Sequence, residues 1–276
     1  MPDTKGSPKS RNTDAVPSAH PEDQGSSIPV WARASASFAL YCGTSGFAYP
    51  SWKPGFYPEK LPSGKFLEYY AKRLNTVEIN YTYRRIASAA TFEKWIAVTE
   101  PYFVFLPKAH MKITHVLKLK DAEEFTRYFL ESLEPLRHAG RLGPILFQLA
   151  PTFKADPVVL AEFVRLLPKT SKYVFEFRNA TWFDEGIYKI LREANVALCL
   201  AENENMETPH VLTADFVYLR LRKPDYTESE LCEIERRTQQ YLRNGYPTFA
   251  IFKHEETPAG ALYAERLLKT ESKQPV

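Results

Sequence analysis

The sequence predicts an α/β fold, with a TIM-type (β/α)8 barrel as a single domain over residues 37–276 and one crossover helix short or missing. Eight short apolar runs follow one another along the chain, and amphipathic helical patterns lie between most of them. Most of these runs are continuous rather than alternating, which is typical of strands that are covered on both faces. Strands separated by helices pair in parallel through crossover connections, so the alternative to a closed barrel is an open, doubly wound sheet.

The spacing of the expected strands suits a repeating β/α unit, with one exception. The segment ENENMETPHVLTA (202–214) has the pattern of a loop rather than a helix, so the crossover helix after the sixth strand is the one expected to be short or missing. The expected strands are FALYC (38–42), TVEIN (76–80), YFVFLP (102–107), GPILFQL (143–149), KYVFEF (172–177), VALCL (196–200), DFVYLRL (215–221) and PTFAIF (247–252).

Several of the segments between the strands carry recognisable helix starts. Residues 121–124 and 227–230 resemble capping boxes, in which the first and fourth side chains satisfy each other's free amides. Asp156 and Thr257 each precede a proline, which is a favourable residue in the first turn of a helix. Apolar residues at positions i, i+3, i+4 and i+7 predict one buried helix face, formed by Ile187, Ile190, Leu191 and Ala194.

The composition is that of an ordinary globular protein with little net charge. Lys and Arg number 36 and Asp and Glu 33, a net charge of +3, whereas nucleic-acid binding usually draws on a strongly basic face. No stretch approaches the ~18 consecutive apolar residues of a membrane span. Residues 1–36 are rich in Pro, Ser, Asp and Gly and predict a disordered tail without a secretory signal. The three cysteines have no C-x-x-C spacing and predict reduced thiols and a cytoplasmic location.

Polar side chains follow nearly every expected strand, at the end where a barrel carries its active site. Glu78 and Asn80 alternate along the second strand, as do Glu176 and Arg178 along the fifth, so each pair points in one direction, into the mouth of the barrel. A charged group at such a position is costly unless it is paired or solvated. Two explanations stay open: a functional site, or a closed network of ion pairs that completes the top of the barrel.

The predicted catalytic residues are Glu78, Glu176 and Lys108. Both carboxyl groups lie where burial could raise the pKa toward neutrality, as acid/base catalysis requires. Lys108, after the third strand, would stabilise negative charge or form a Schiff base with a substrate.

Cations near the last two strands favour an anionic ligand. Arg220, Arg222 and Lys253 would surround the start of the last helix, a region where barrels often hold phosphate. The alternative is that these cations are solvated at loop edges. Asn80 and Gln148 would orient the ligand. The predicted substrate-binding residues are Ser45, Asn80, Tyr83, His115, Gln148, Arg178, Trp182, Arg220 and Lys253.

Two of these predictions have a structural alternative. The segment 43–46, which contains Ser45, either aims backbone amides at an anion or forms a tight turn after the first strand. Tyr83 and Trp182 either stack on a planar or sugar-like ligand or simply cover the core.

A metal site is the weaker possibility for the histidines. His115 could join Glu78 or Glu176 as a metal ligand, but His110 and His115 lack the i, i+4 spacing of a helical metal pair. No metal is therefore predicted, and the sequence identifies no cofactor.

Five motifs in the first two thirds of the chain resemble the DUF72, or YecE-like, family. They are GTSGFAYPSWKPGFYP (43–58), LNTVEINYTYRR (74–85), FLPKAHMKITH (105–115), LGPILFQLAPTF (142–153) and FEFRNATWF (175–183). The resemblance runs from about residue 40 to 183 and less clearly to 268. It implies a barrel of the TIM type and supplies no reaction.

The second half of the chain departs from the family's pattern. The family usually shows an Asp-x-Pro-like segment after strand six, an Arg-x-His-Gly-like end to strand seven and an Asn-rich end to strand eight. Here residues 201–204, 220–223 and 252–255 are AENE, RLRK and FKHE, and of strand seven only Tyr218 and Arg220 carry over. The departure implies either a changed ligand or a function that was lost.

Together these observations predict a soluble enzyme of unassigned reaction that binds a small anionic substrate at the mouth of the barrel. A non-catalytic small-molecule sensor on the same scaffold is one alternative, because fold alone does not separate the two. A nucleic-acid-processing barrel is the other, and the lack of a basic run disfavours it. No membrane association is predicted, and the sequence does not indicate an oligomeric state.

Overall fold

The computed structural model describes residues 40–203 and 206–271 of the chain. The disordered tail expected for residues 1–36 lies outside the described residues. Eight parallel strands alternate with helices around a nearly closed barrel, as the sequence predicts, and a ninth short strand pairs antiparallel with the end of one of them. The strands are β1 (Leu40–Ser45), β2 (Thr76–Ile79), β3 (Val104–Pro107), β4 (Ile145–Gln148), β5 (Tyr173–Glu176), β6 (Ala197–Asn203), β7 (Met206–Glu207), β8 (Val217–Leu221) and β9 (Thr248–Phe252).

The parallel strands are hydrogen-bonded in the order β3-β2-β1-β9-β8-β6-β5-β4. The two ends of this sheet, β3 and β4, meet through isolated bridges that pair Phe105 with Leu142 and Lys108 with Leu146. The amide of Ala109 reinforces this junction by donating to the carbonyl of Leu146 at 2.8 Å. The closed arrangement excludes the open, doubly wound sheet, because an open sheet leaves its two outer strands unpaired.

Helices cover the outside of the barrel. They are α1 (Phe66–Ala71), α2 (Tyr81–Arg84), α3 (Ala89–Ala97), α4 (Glu123–Ser132), α5 (Glu134–His138), α6 (Pro157–Leu166), α7 (Glu185–Glu193), α8 (Glu228–Arg243) and α9 (Ala259–Glu271), with a π-helical turn at Lys112–Val116. Between β6 and β8 the described residues contain the antiparallel strand β7 and no helix, which confirms the expected missing crossover helix. None of the helices in the described residues is long and apolar enough to cross a membrane.

Of the four predicted helix starts, two form their caps, one does not, and at the fourth α9 begins at Ala259, two residues after Thr257. Thr227 and Glu230 make the expected capping box at the start of α8, and the Asp156 side chain accepts a hydrogen bond from the amide of Val159 at the start of α6. The capping box predicted for Asp121 is wrong, because α4 begins at Glu123 and Asp121 adopts a left-handed backbone conformation with φ of 47°. An N-cap residue instead needs an extended backbone.

The inside of the barrel changes from apolar to charged toward the carboxyl ends of the strands. Apolar side chains of β3, β4, β5 and β8 fill the middle of the barrel as part of one buried cluster. Two residues further along these strands the inward position is polar, because alternate residues of a strand share a face. The successive pairs are Leu106 and Lys108, Leu146 and Gln148, Val174 and Glu176, and Tyr218 and Arg220.

Candidate functional site at the mouth of the barrel

A cavity of about 540 Å³ opens at the carboxyl ends of the strands. Its size lies within the ~300–1,000 Å³ that small-molecule sites usually span. It is lined by Tyr49, Asn80, Tyr83, Arg84, Lys108, His115, Gln148, Arg178, Arg220, Arg222, Lys253 and Glu255.

Beneath this cavity, Arg220 joins the two predicted catalytic carboxylates. Its Nη2 donates to Glu78 Oε1 at 2.6 Å, and its Nη1 donates to Glu176 Oε2. All three side chains are at most 2% exposed. The strands β2, β5 and β8 that carry them are not neighbours in the sheet, so the guanidinium spans the interior of the barrel. A buried carboxylate needs such partners, because an isolated charge in the interior is very costly.

Glu78 is held by hydroxyl groups as well as by Arg220. Ser45 Oγ donates to Glu78 Oε1 at 2.7 Å, and Tyr218 OH donates to Glu78 Oε2 at 2.9 Å. Asn80 Nδ2 in turn donates to Ser45 Oγ at 3.0 Å, and Asn80 lines the cavity. Ser45 therefore links a residue of the cavity to a carboxylate that lies below it.

Glu176 is surrounded by donors from three strands. The amide nitrogen of Gln148 lies 2.9 Å from both of its carboxylate oxygens. Arg222 Nη1 donates to Oε1 at 3.1 Å, and Arg178 Nε lies 4.0 Å from the same oxygen. Together with Arg220, these contacts place three guanidinium groups around one carboxylate.

The expectation that burial raises the pKa of both carboxyl groups is wrong. Burial acts in that direction, but Arg220 together with the hydrogen bond from Ser45 brings the pKa of Glu78 below its ordinary value. At Glu176 burial is likewise outweighed by Arg220 and Arg222, and its pKa is lowered to about 2. Both carboxylates are therefore ionised at neutral pH, and neither is poised to donate a proton.

Lys108 contacts this network through the side chain of Gln148. Its Nζ donates to Gln148 Oε1 at 2.8 Å and lies 4.2 Å from the centre of the Tyr83 ring. Burial, and next the positive charge of Arg220, lower its pKa to about 8. An amine with this pKa is about one tenth neutral at pH 7, so Lys108 can act both as a cation and as a nucleophile.

Tyr83 and His115 form the wall of the cavity beside Lys108. Their rings meet edge to face with centres 5.4 Å apart. Thr114 Oγ1 lies 2.8 Å from His115 Nδ1 and fixes the imidazole. Partial burial, followed by the charges of Lys108 and Arg178, lowers the pKa of His115. A neutral imidazole at this position can accept or donate a proton near neutral pH.

The cavity carries an excess of positive charge. Among the described residues that line it, six are cationic and only Glu255 is anionic. Counting Glu78 and Glu176 below it leaves three more positive than negative charges around the mouth. Lys253 Nζ pairs with Glu255 at 3.3 Å, and the exposed guanidinium of Arg84 extends the cationic surface to the rim. The electrostatic potential around the mouth is therefore positive.

Most, but not all, of the predicted substrate-binding residues meet at this cavity. Asn80, Tyr83, His115, Gln148, Arg178, Arg220 and Lys253 line it, as does the predicted catalytic Lys108. Ser45, Glu78 and Glu176 lie below it and contact its lining. Four further residues line the cavity and are outside the predicted set: Tyr49, Arg84, Arg222 and Glu255. Each of them lies in the segment that follows an expected strand, and this position is the signal that could have found it.

Trp182 does not reach the cavity. It is fully buried, stacks on Phe177 with ring centres 4.7 Å apart and donates from Nε1 to the carbonyl of Phe153 at 2.7 Å. Its contacts are those of a core residue under the loop after β5, which is the second of the two interpretations that the sequence leaves open.

The two glycines of segment 43–46 are required by the backbone around them. A side chain at Gly43 would place its Cβ 2.0 Å from the carbonyl oxygen of Thr76 on the neighbouring strand. Gly46 has φ of 90°, a conformation that favours glycine, and its amide donates to the carbonyl of Glu78 at 2.9 Å. Residues 43–45 belong to β1 itself and only Gly46 lies beyond it, so the structure supports neither a tight turn over the whole segment nor an anion cradle.

No metal cluster is found in the part of the chain that the structure describes. In particular, no group of three or more His, Cys, Asp or Glu side chains is close enough to hold an ion. The carboxylates of Glu78 and Glu176 already accept hydrogen bonds from two arginines, which leaves them poorly placed as metal ligands.

A larger cavity, of about 1,190 Å³, opens at the opposite end of the barrel. Tyr41 and Phe249 line it, and their rings stack with centres 4.8 Å apart. In β/α barrels the residues at this end contribute to stability, whereas the active site lies at the carboxyl ends of the strands. The smaller, cationic cavity is therefore the candidate functional site.

The fold and the position of the cavity define a TIM-type barrel with a cationic mouth. The family model described as "Protein of unknown function DUF72" matches residues 41–275. The chain therefore belongs to the DUF72 family, as its motifs indicate.

Curated relatives of the chain carry family names of the same kind. The chain is 29% identical over 156 residues to the UPF0759 protein YunF of Bacillus subtilis, and 28% identical over 149 residues to the UPF0759 protein YecE of Escherichia coli. These matches cover 54% and 53% of this chain, and the chain spans only about half the length of these relatives, 54% and 51% respectively.

Solved structures of the family share the fold. A DUF72 family protein of Thermotoga maritima superposes with a TM-score of 0.72 at 26% identity, covering 84% of this chain and 98% of that protein. A DUF72 family protein of Enterococcus faecalis superposes with a TM-score of 0.69 at 16% identity, covering 86% and 96%. The second likeness concerns the fold alone.

Proposed function

We propose that this protein is an enzyme that binds a small anionic substrate at the mouth of its barrel. The observation that carries the proposal is the cavity of about 540 Å³ with six cationic side chains around it. Small carboxylates and phosphate esters are the ligands that such a cluster selects, because arginine guanidinium groups bind their oxygens in pairs.

The buried carboxylates have a positioning role in this proposal. Glu78 and Glu176 hold Arg220 from two sides, and Glu176 also holds Arg222. Arginines fixed in this way need little reorganisation when an anion arrives, which favours binding and the stabilisation of charge during a reaction. The carboxylates thus act through the arginines, and they are not assigned the transfer of a proton.

Arg178 is the best single residue for testing this site. It lines the cavity, its side chain is 31% exposed, and its contact with Glu176 is long at 4.0 Å. Its removal therefore leaves the buried network in place. Arg236 provides the matched control, because it is an exposed arginine on α8 whose side chain pairs with Glu233.

The test is binding of inorganic sulfate and phosphate, measured by titration calorimetry and by thermal unfolding at constant ionic strength. Both anions are expected to bind the wild-type protein and raise its Tm. Arg178→Met should weaken binding about 10-fold, since one charge-assisted hydrogen bond is worth at least ~1.4 kcal/mol. Arg236→Met should leave the affinity within about 2-fold. Equal effects of the two substitutions, or anions that act no better than chloride, would refute the proposal.

A further inference from the structure

Lys108 is placed differently from a lysine that serves only to bind an anion. It forms no ion pair in the described part of the chain, and its Nζ has instead a neutral acceptor, Gln148 Oε1, at 2.8 Å. Lys253, the other lysine of the cavity, pairs with Glu255 at 3.3 Å. An amine that is paired with an amide oxygen can lose its proton without leaving a carboxylate unpaired.

The surroundings of Lys108 also favour its neutral form. The side chain is only 9% exposed, and burial and then the charge of Arg220 lower its pKa to about 8. Glu78 and Glu176 oppose this effect, but they are themselves engaged by Arg220. A lysine with a lowered pKa next to another cation is the setting in which amines act as nucleophiles toward carbonyl groups.

The remaining groups of the cavity complete a site for a molecule that carries both a carbonyl and an anionic group. Arg178 and Arg222 lie above Glu176, within the same cavity as Lys108, and can hold a carboxylate. His115 lies against Tyr83, whose ring also carries the ammonium group of Lys108. Its imidazole therefore shares this wall of the cavity with Lys108, whose positive charge is one of the causes, after burial, that lower the pKa of His115.

We propose that Lys108 forms a Schiff base with a small oxo acid, an aldehyde or ketone that bears a carboxylate. This inference rests on the proposed anion site and names its substrate class. The neutral amine adds to the carbonyl carbon, forming a C–N bond, and a proton moves from nitrogen to oxygen to give a carbinolamine. Protonation of the hydroxyl group then expels water as the C=N bond forms. The nitrogen loses two protons and the oxygen leaves as water, so no oxidant or reductant is needed.

The experiment uses glyoxylate as the probe and sodium borohydride as the reductant that traps the imine. Hydride from borohydride converts the imine to a stable secondary amine, which adds one carboxymethyl group to the protein. Intact mass gives the number of adducts, and peptide mapping gives their positions. Near pH 7, Lys108 is expected to be modified at least ~10-fold more than any other lysine, because a larger fraction of it is neutral.

Substitution of lysine residues and competition with phosphate test whether the carboxymethyl adduct forms at Lys108. Lys108→Arg keeps a positive charge without a nucleophilic amine and should abolish the dominant adduct, whereas Lys189→Arg, at an exposed lysine of α7 outside the cavity, should retain it. Inorganic phosphate should protect Lys108 by occupying the anion site. Mapping of the wild-type protein does not depend on any variant, so an adduct spread evenly over surface lysines, or absent from Lys108, would overturn the inference.

The two proposals fail in different ways. If sulfate and phosphate bind and Lys108 stays unmodified, the anion site stands and the Schiff base is wrong. If neither anion binds, the proposed function is wrong, and modification of Lys108 would then reflect a reactive amine without an anion site.

Discussion

Glu78 and Glu176 lie on strands that are not neighbours in the barrel, and one guanidinium group, that of Arg220, donates to both. This contact forms a layer of charge across the top of the barrel, between the apolar interior and the cavity. It fixes a buried cation where a ligand would meet it.

Removal of Arg220 is expected to destabilise the protein strongly. Arg220→Met leaves two buried carboxylates without their main partner, and breaking a buried ion pair costs about 3–5 kcal/mol. Urea unfolding followed by circular dichroism measures the loss.

The control for Arg220 replaces the whole network. Glu78→Gln and Glu176→Gln, added to Arg220→Met, remove the uncompensated charges and should recover part of the lost free energy of unfolding. If Arg220→Met alone unfolds at the wild-type urea concentration, the network is not a stabilising element.

The free energy of unfolding should depend on pH in the range over which Glu176 titrates. Its pKa is about 2 in the folded protein and about 4.5 in an unperturbed glutamate, so folding favours the ionised form. The contribution is complete above about pH 4.5 and is lost as the pH falls toward 2. It amounts to on the order of 3 kcal/mol. Urea midpoints measured across this range report it.

Glu176→Gln isolates this effect, since the variant has no proton to bind at that position. Its stability should change less than that of the wild-type protein between pH 4.5 and 2. Parallel curves for the two proteins would show that other carboxylates, such as Glu78, account for the acid transition.

Anion affinity should fall as Lys108 loses its proton. Sulfate is the suitable probe, because its charge is constant between pH 7 and 9. With the pKa of Lys108 at about 8, the Kd for sulfate should rise at least ~3-fold over this range, as one charge-assisted contact is lost. Lys108→Met should bind more weakly at pH 7 and show a flatter profile. An unchanged wild-type profile would mean that Lys108 does not contact the anion.

Much of this arrangement could be predicted from the sequence, because the order of the strands places their carboxyl ends together. Alternation along β5 predicted that Glu176 and Arg178 point the same way, and both do reach the mouth region. The same reasoning located Lys108 and Gln148, which the structure joins by a hydrogen bond.

The pKa direction could not be predicted, because it depends on a contact between distant strands. Burial of Glu176 was correctly anticipated, but three arginines around it outweigh burial. Strand order alone does not say which arginine reaches which carboxylate across the barrel.

Predictions from local sequence patterns were wrong at two positions where the surrounding structure determines the conformation. Trp182 lies in a loop beside the predicted mouth, yet its ring turns into the core and stacks on Phe177. Asp121 has the capping-box spacing, but its left-handed backbone places it outside the helix.

The junction of β3 and β4 has a consequence for how the barrel responds to a ligand. These strands share isolated bridges instead of a continuous ladder. Backbone pairing between neighbouring strands of the barrel is therefore weakest at this junction. Lys108 and Gln148 stand on its two sides and touch through their side chains. A molecule that contacts both residues would therefore bridge this junction and add a link between two strands that share few backbone hydrogen bonds.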